Sequence, residues 1–195
     1  MRSRKGGKQT MSDQDNLKGI QTKYKNTVFK SMLESKFAYF LDCLNIKWKY
    51  EPKTFLLSNG ITYRPDFYLT DANMWIEVKG LIEKHNREIS KIFVTEIGQH
   101  LILISSKNSF YYGNEYENTT YEDSDIYLGR CSKCKKFFFA SMCGLYNCKN
   151  CMNHNGDHDL IDYIHNTKHC VSRINVNFSD INSIKQGLIE YGINN

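Results

Sequence analysis

Apolar residues along this chain change period several times, and each change marks an element. From Thr27 to Asn45, the residues Leu33, Phe37, Phe40, Leu41 and Leu44 recur at helical spacing, which predicts a helix with one apolar stripe. Ile46 to Leu57 carries Trp48, Tyr50, Thr54 and Phe55 and suits a pleated, half-buried strand region interrupted by Pro52. Ser58-Asn59-Gly60 is a turn signal that closes a hairpin into the next strand. There the period is two, with Ile61, Tyr63, Pro65, Phe67 and Leu69 on one face and Thr62, Arg64, Asp66 and Tyr68 on the other. Met74, Ile76 and Val78 alternate in the same way with Trp75, Glu77 and Lys79, the first set facing the core. Ile82, Ile89, Ile92, Phe93 and Ile97 return to helical spacing, and Leu101 to Ile104 is an apolar run expected as a buried strand. The order helix, three strands, helix, strand predicts an α/β fold whose second helix crosses over between parallel strands.

The two alternating strands also carry the chemistry. Glu77 and Lys79 share a face, roughly 7 Å apart along the strand. If Asp66 pairs beside Glu77, two hard carboxylate oxygens converge on one point, as Mg2+ or Mn2+ requires. Lys79 beside them would orient or deprotonate a water and offset charge on a phosphorane-like transition state. A Glu-x-Lys pair alone is a common solvent-facing pattern; its coupling to Pro65-Asp66 is what gives it meaning.

Pro65-Asp66 followed by Glu77-Val78-Lys79 resembles the signature of the PD-(D/E)xK nuclease superfamily, which includes restriction enzymes, junction resolvases, transposon end-cutting subunits and some homing endonucleases. The resemblance runs from the first helix through Ile104 and implies a restriction-endonuclease-like core. It implies that Asp66, Glu77 and the backbone carbonyl of Val78 bind a catalytic Mg2+ or Mn2+, and that Lys79 positions the attacking water. It also implies that Glu34, in Ser31-Met32-Leu33-Glu34, is the first-helix carboxylate that completes the shell or holds a second ion, against the plain alternative of a solvated flank residue. Hydrolysis in that family leaves a 5'-phosphate and a 3'-hydroxyl. A catalytically inactive nuclease fold used for DNA binding, or a nuclease acting on RNA or single strands, are the alternatives.

A second pattern is Cys131-x2-Cys134 with Cys148-x2-Cys151. Two such knuckles close a tetrahedral thiolate site with no open position, so a structural Zn2+ is expected. Disulfides in a secreted chain are not expected, since the 7 cysteines are an odd number and Met1 to Lys8 is basic rather than apolar. Cys43 reads as a buried helix thiol, and Cys143 is a less well-spaced substitute ligand. His154, His158, His165 and His169 read as ordinary polar-segment histidines.

Charge distribution extends this picture. The formal net charge of +5 suits a polyanionic partner without requiring one. Arg130, Lys133, Lys135 and Lys136 cluster on the first knuckle before Phe137-Phe138-Phe139; the cations are expected to meet nucleic acid, most directly DNA, and the rings to pack the module. Lys84 and Arg87, on the second helix, are further candidate contacts. The expected organisation is a basic flexible tail over 1–15, a nuclease core over 16–112, an acidic linker over 113–126 and a zinc-binding module with C-terminal helices over 127–195. At 195 residues and 41% hydrophobic, the chain holds one medium core plus an appendage, and no apolar run reaches membrane length. The expectation is a soluble cytoplasmic protein of a bacterium or phage-infected cell, of phage or mobile-element type, for which symmetric two-strand cleavage would need a homodimer.

Overall fold

A computed structural model describes residues 20–105, 108–115, 119–123, 126–131, 133–134, 136–141, 151 and 170–173 of the chain. Its elements in order are β1 (Thr22–Tyr24), β2 (Thr27–Phe29), α1 (Met32–Cys43), β3 (Trp48–Tyr50), β4 (Phe55–Leu56), β5 (Thr62–Tyr63), β6 (Phe67–Leu69) and β7 (Met74–Val78). They are followed by α2 (Lys84–Ile97), β8 (His100–Ile104), β9 (Ser109–Glu115), β10 (Thr119–Asp123), β11 (Ile126–Arg130), β12 (Phe137–Ser141) and β13 (Cys170–Arg173). The fold is mixed α/β, and helix, three strands, helix, strand is found as α1, β3, β6, β7, α2, β8.

The main sheet has six strands in the order β10-β9-β8-β7-β6-β3. Only β7 and β8 run parallel within it, joined by the crossover helix α2; the other pairs are antiparallel. Both faces of β7 are buried. Met74, Ile76 and Val78 pack with Phe37, Phe40 and Leu41 of α1, while Trp75 packs with Phe93 and Val94 of α2. The helices therefore cover opposite faces, and the expected polar side of β7 is a second core.

Three expectations are corrected. The first helix starts at Met32 rather than Thr27, because Ser31 holds an extended backbone and its hydroxyl accepts from the Glu34 N–H at 3.2 Å. β-Branched Thr27 and Val28 pair instead with β1. The single alternating strand from Ile61 to Leu69 is broken at Arg64-Pro65-Asp66, so Tyr63 joins the α2-side cluster while Phe67 and Leu69 join the α1-side cluster. The stretch expected as an acidic linker lies largely in β9 and β10, which extend the main sheet. Its Glu122 is drawn to α2 by an ion pair with Arg87 and another with Lys91 at 2.9 Å.

The turn at Ser58-Asn59-Gly60 closes the β4–β5 hairpin, with Gly60 at φ +80, and Phe55, Leu57 and Tyr63 deliver its apolar side to the α2-side core. The small sheet β12-β11-β13 is not detached, since Ile126 and Phe139 lie in the α1-side core. The helices expected over 159–166 and after Ser179 lie outside the described residues. No helix among the described residues is long and apolar enough to cross a membrane.

Phe67 is the hub of the α1-side core. It is fully buried, and its ring meets Phe29, Phe37, Trp48 and Tyr50 with centroids 5.5–6.0 Å apart. Phe67→Ala should lower unfolding stability by about 3–5 kcal/mol, while Leu56→Ala, at a side chain 76% exposed, should stay within about 0.5 kcal/mol. Denaturant titration checks both, and equal effects would remove Phe67 from its central place.

Candidate active site

β6 and β7 pair with Phe67 opposite Ile76, so one residue beyond the last pair Asp66 stands opposite Glu77. Asp66 occupies the bend just before β6. Its carbonyl accepts from the Glu51 N–H and its Oδ2 from the Val78 N–H, each at 2.8 Å. Pro65, also buried, restricts the backbone just before this bend and offers no N–H that would need a partner there. Lys79 leaves β7 with its N–H on the Ile104 carbonyl at 2.8 Å, so β8 sets the position from which its ammonium returns to Glu77 Oε1.

Asp66 is 6% exposed and Glu77 4%, and the two stand opposite each other at the end of the paired strands. Burial, then the Glu77 charge, pushes the Asp66 carboxyl well above its ordinary range, against the pull of Lys79 and the Val78 N–H. Burial raises Glu77 as well, with Lys79 opposing. For Lys79, burial works against the ammonium, but Glu77, Asp66 and Glu34 outweigh it and hold its pKa above the usual lysine value. Lys79 is accordingly a cation among carboxylates.

Two polar atoms of the site are left over. Glu77 Oε2 is buried and makes no hydrogen bond among the described residues. The buried Tyr63 hydroxyl faces the same carboxylate, with its own hydrogen-bonding geometry likewise unmet. Burial, followed by the charges of Glu77 and Asp66, raises this phenol far above its ordinary pKa, so it stays protonated and available as a donor. Strict alternation pointed Tyr63 away from Asp66; the bend at Pro65 reverses that, and no pattern in the sequence marks the reversal.

Glu34 is buried at the first turn of α1. Its Oε1 accepts from the Ser31 hydroxyl at 2.7 Å, and its Oε2 from the Tyr50 hydroxyl at 2.5 Å and the Lys30 N–H at 3.2 Å. Its charge acts on Asp66 and Lys79. Among the described residues, however, only Cys131, Cys134 and Cys151 bring three ligand atoms within 4.8 Å of one another, so Glu34 does not close a triad with Asp66 and Glu77 at that spacing. Ser31 and Tyr50, which orient Glu34, were not singled out by their spacing in the sequence.

Those three cysteines could hold a metal ion. Cys131 is buried with its Sγ 3.6 Å from that of Cys151, and its N–H donates to the Lys136 carbonyl at 2.9 Å, which closes the turn after the first pair. Cys148, Cys143 and the four histidines from His154 to His169 lie outside the described residues.

The expected nucleic-acid contacts divide. Lys84 and Lys133 are exposed. Arg87 pairs with Glu122 and lies over the Phe110 ring at 4.6 Å, and Lys136 pairs with Asp71 at 2.9 Å. Lys135 and the side chain of Arg130 lie outside the described residues. Comparison with protein-family models, with curated proteins and with solved structures finds no match for the chain.

The buried carboxylates set a pH dependence whose sign follows from the raised Asp66 pKa. Between the ordinary carboxylate pKa, about 4, and the raised native one, the folded chain keeps a proton that the unfolded chain has released, so stability falls as pH rises through that interval. In metal-free buffer the thermal midpoint should therefore fall as pH rises above the ordinary carboxylate range, and Asp66→Asn should raise the midpoint at the high-pH end while flattening the fall. A midpoint lowered by Asp66→Asn throughout would mean that the charged form is the better accommodated one.

Proposed function

We propose that the chain is a metal-dependent endonuclease of the PD-(D/E)xK type, hydrolysing phosphodiester bonds in DNA at the end of β6 and β7. The observation that carries this reading is the buried, unpartnered Glu77 Oε2 beside the Asp66 carboxyl, a pair of oxygens that a small divalent cation would hold in the charged form. Only hard oxygen donors stand there, which suits Mg2+ or Mn2+. Asp66, Glu77 and the Val78 carbonyl would hold the ion, with Glu34 as an outer carboxylate. Bound there, such an ion supplies Lewis-acid polarisation of a phosphoryl oxygen and a more acidic water.

The residues of the chain supply the rest. Lys79, kept charged by its neighbours, donates to the attacking water or to a non-bridging oxygen and offsets charge that grows on phosphorus. Its ion pair with Glu77 keeps the ammonium at the site before substrate arrives, so less ordering is left to the moment of binding. Tyr63, protonated and facing Glu77, is a donor within the site that no hydrogen bond among the described residues engages. In the C-terminal module, Cys131, Cys134 and Cys151, with Cys148 as the fourth ligand, would bind one structural Zn2+ and stiffen a surface for the nucleic-acid backbone.

Two experiments test this. Supercoiled, linear, single-stranded and four-way-junction DNA incubated with Mg2+ or Mn2+ should be cut by the wild type, and the preferred substrate should stand out. Asp66→Ala and Glu77→Ala should abolish cutting while leaving binding intact, and Lys79→Met should slow it by about 10²–10³-fold. Binding without cutting by the wild type in either ion would make the chain a DNA-binding protein on a nuclease-like scaffold. For the zinc site, metal analysis should find one Zn2+ per chain, released by Cys131→Ser or Cys148→Ser together with loss of ordered structure in the module. Full retention of zinc in both variants would assign the ion to other ligands.

A further inference from the structure

Beside the carboxylates lies a second group of charges that the proposed chemistry does not use. Glu51, its side chain 12% exposed, forms an ion pair with Lys30 and a second with Arg64 at 3.3 Å; the two cations are 55% and 44% exposed. This group is tied to the site through the backbone. The Glu51 N–H donates to the Asp66 carbonyl at 2.8 Å, the Lys30 N–H donates to Glu34 Oε2 and to the Tyr50 hydroxyl at 3.1 Å, and Arg64 directly precedes Pro65-Asp66.

Glu51 also has a φ of +42, in the left-handed region that side-chain-bearing residues rarely adopt and where Gly or Asn would be easier. A shielded carboxylate kept at such a position, with two half-exposed cations drawn to it, holds a net positive pair beside the site. Three carboxyl groups, Glu34, Asp66 and Glu77, stand against the single ammonium of Lys79, and cations at the rim draw a polyanion toward them.

We propose that Lys30 and Arg64, spaced by Glu51, form a subsite for a backbone phosphate of the nucleic acid flanking the one that is cleaved. Arg64 offers a planar fork suited to two phosphate oxygens, Lys30 a compact charge, and Glu51 keeps both from folding over the catalytic carboxylates. The subsite reads phosphate rather than sequence, so its contribution is to affinity and position along the strand. This inference rests on the nuclease reading above for the nature of the ligand.

The test is the salt dependence of binding, measured by fluorescence anisotropy with a labelled 20-base-pair duplex in the non-cutting Asp66→Ala background. Each lost phosphate contact lowers the slope of log K against log salt by about 0.9, so Lys30→Gln and Arg64→Gln should each remove about one unit and the double variant about two. Lys30→Arg should retain the parent slope. In the otherwise wild-type chain, the double variant should need at least about tenfold more DNA for half-maximal cutting while its single-turnover rate at saturation stays within about threefold. An unchanged slope in both single variants overturns the subsite and leaves the nuclease reading standing. A parent that binds no duplex, with a wild type that cuts no DNA, overturns both.

Discussion

Two carboxylates buried side by side at a sheet end are the constraint around which the structure is arranged. Burial strips most water from Asp66 and Glu77, and the Glu77 charge makes that of Asp66 harder still to keep. The surrounding elements answer part of this: Val78 gives an N–H and Lys79 an ammonium. What they leave unanswered at Glu77 Oε2 is the opening for chemistry. The aromatic core beneath Phe67 and the paired β6–β7 register keep these groups from relaxing apart, so packing energy maintains an arrangement that the charges alone would disperse.

Periodicity made the sheet centre legible. Five residues of β7, the crossover helix and the apolar run of β8 each carry an unmixed signal, and their order admits few topologies. The pairing of Asp66 with Glu77 was only a condition in the sequence; it is the register setting Phe67 opposite Ile76 that brings the two together. The N-terminal boundary of α1 was harder, because Leu33 to Leu44 fixes a stripe but only the Ser31 cap fixes where it starts.

Where alternation misled, long-range partners had decided the outcome. Tyr63 changes face across the bend at Asp66, and that bend is held by the contacts of Asp66 with the distant Glu51 and Val78 N–H groups. The acidic character around Glu122 resembles a linker in one dimension, yet in three it meets Arg87 and Lys91 on α2 and becomes a sheet edge. Burial would disfavour the Glu122 charge, and the two cations reverse this and hold its pKa below the ordinary value. The cysteine module is likewise attached rather than tethered, through Ile126, Phe139 and the Lys136–Asp71 pair.

The single parallel pairing in the main sheet also sets when the site can come into being. Asp66 and Glu77 lie on adjacent antiparallel strands joined by a short turn, a local closure that costs little chain entropy. Lys79, by contrast, takes its place from the Ile104 carbonyl, which reaches it only after α2 has formed and β8 has docked beside β7. The complete constellation thus requires the whole crossover to be in place, and a molecule frayed at β8 loses the fixed starting point of the Lys79 side chain while β6 and β7 remain paired.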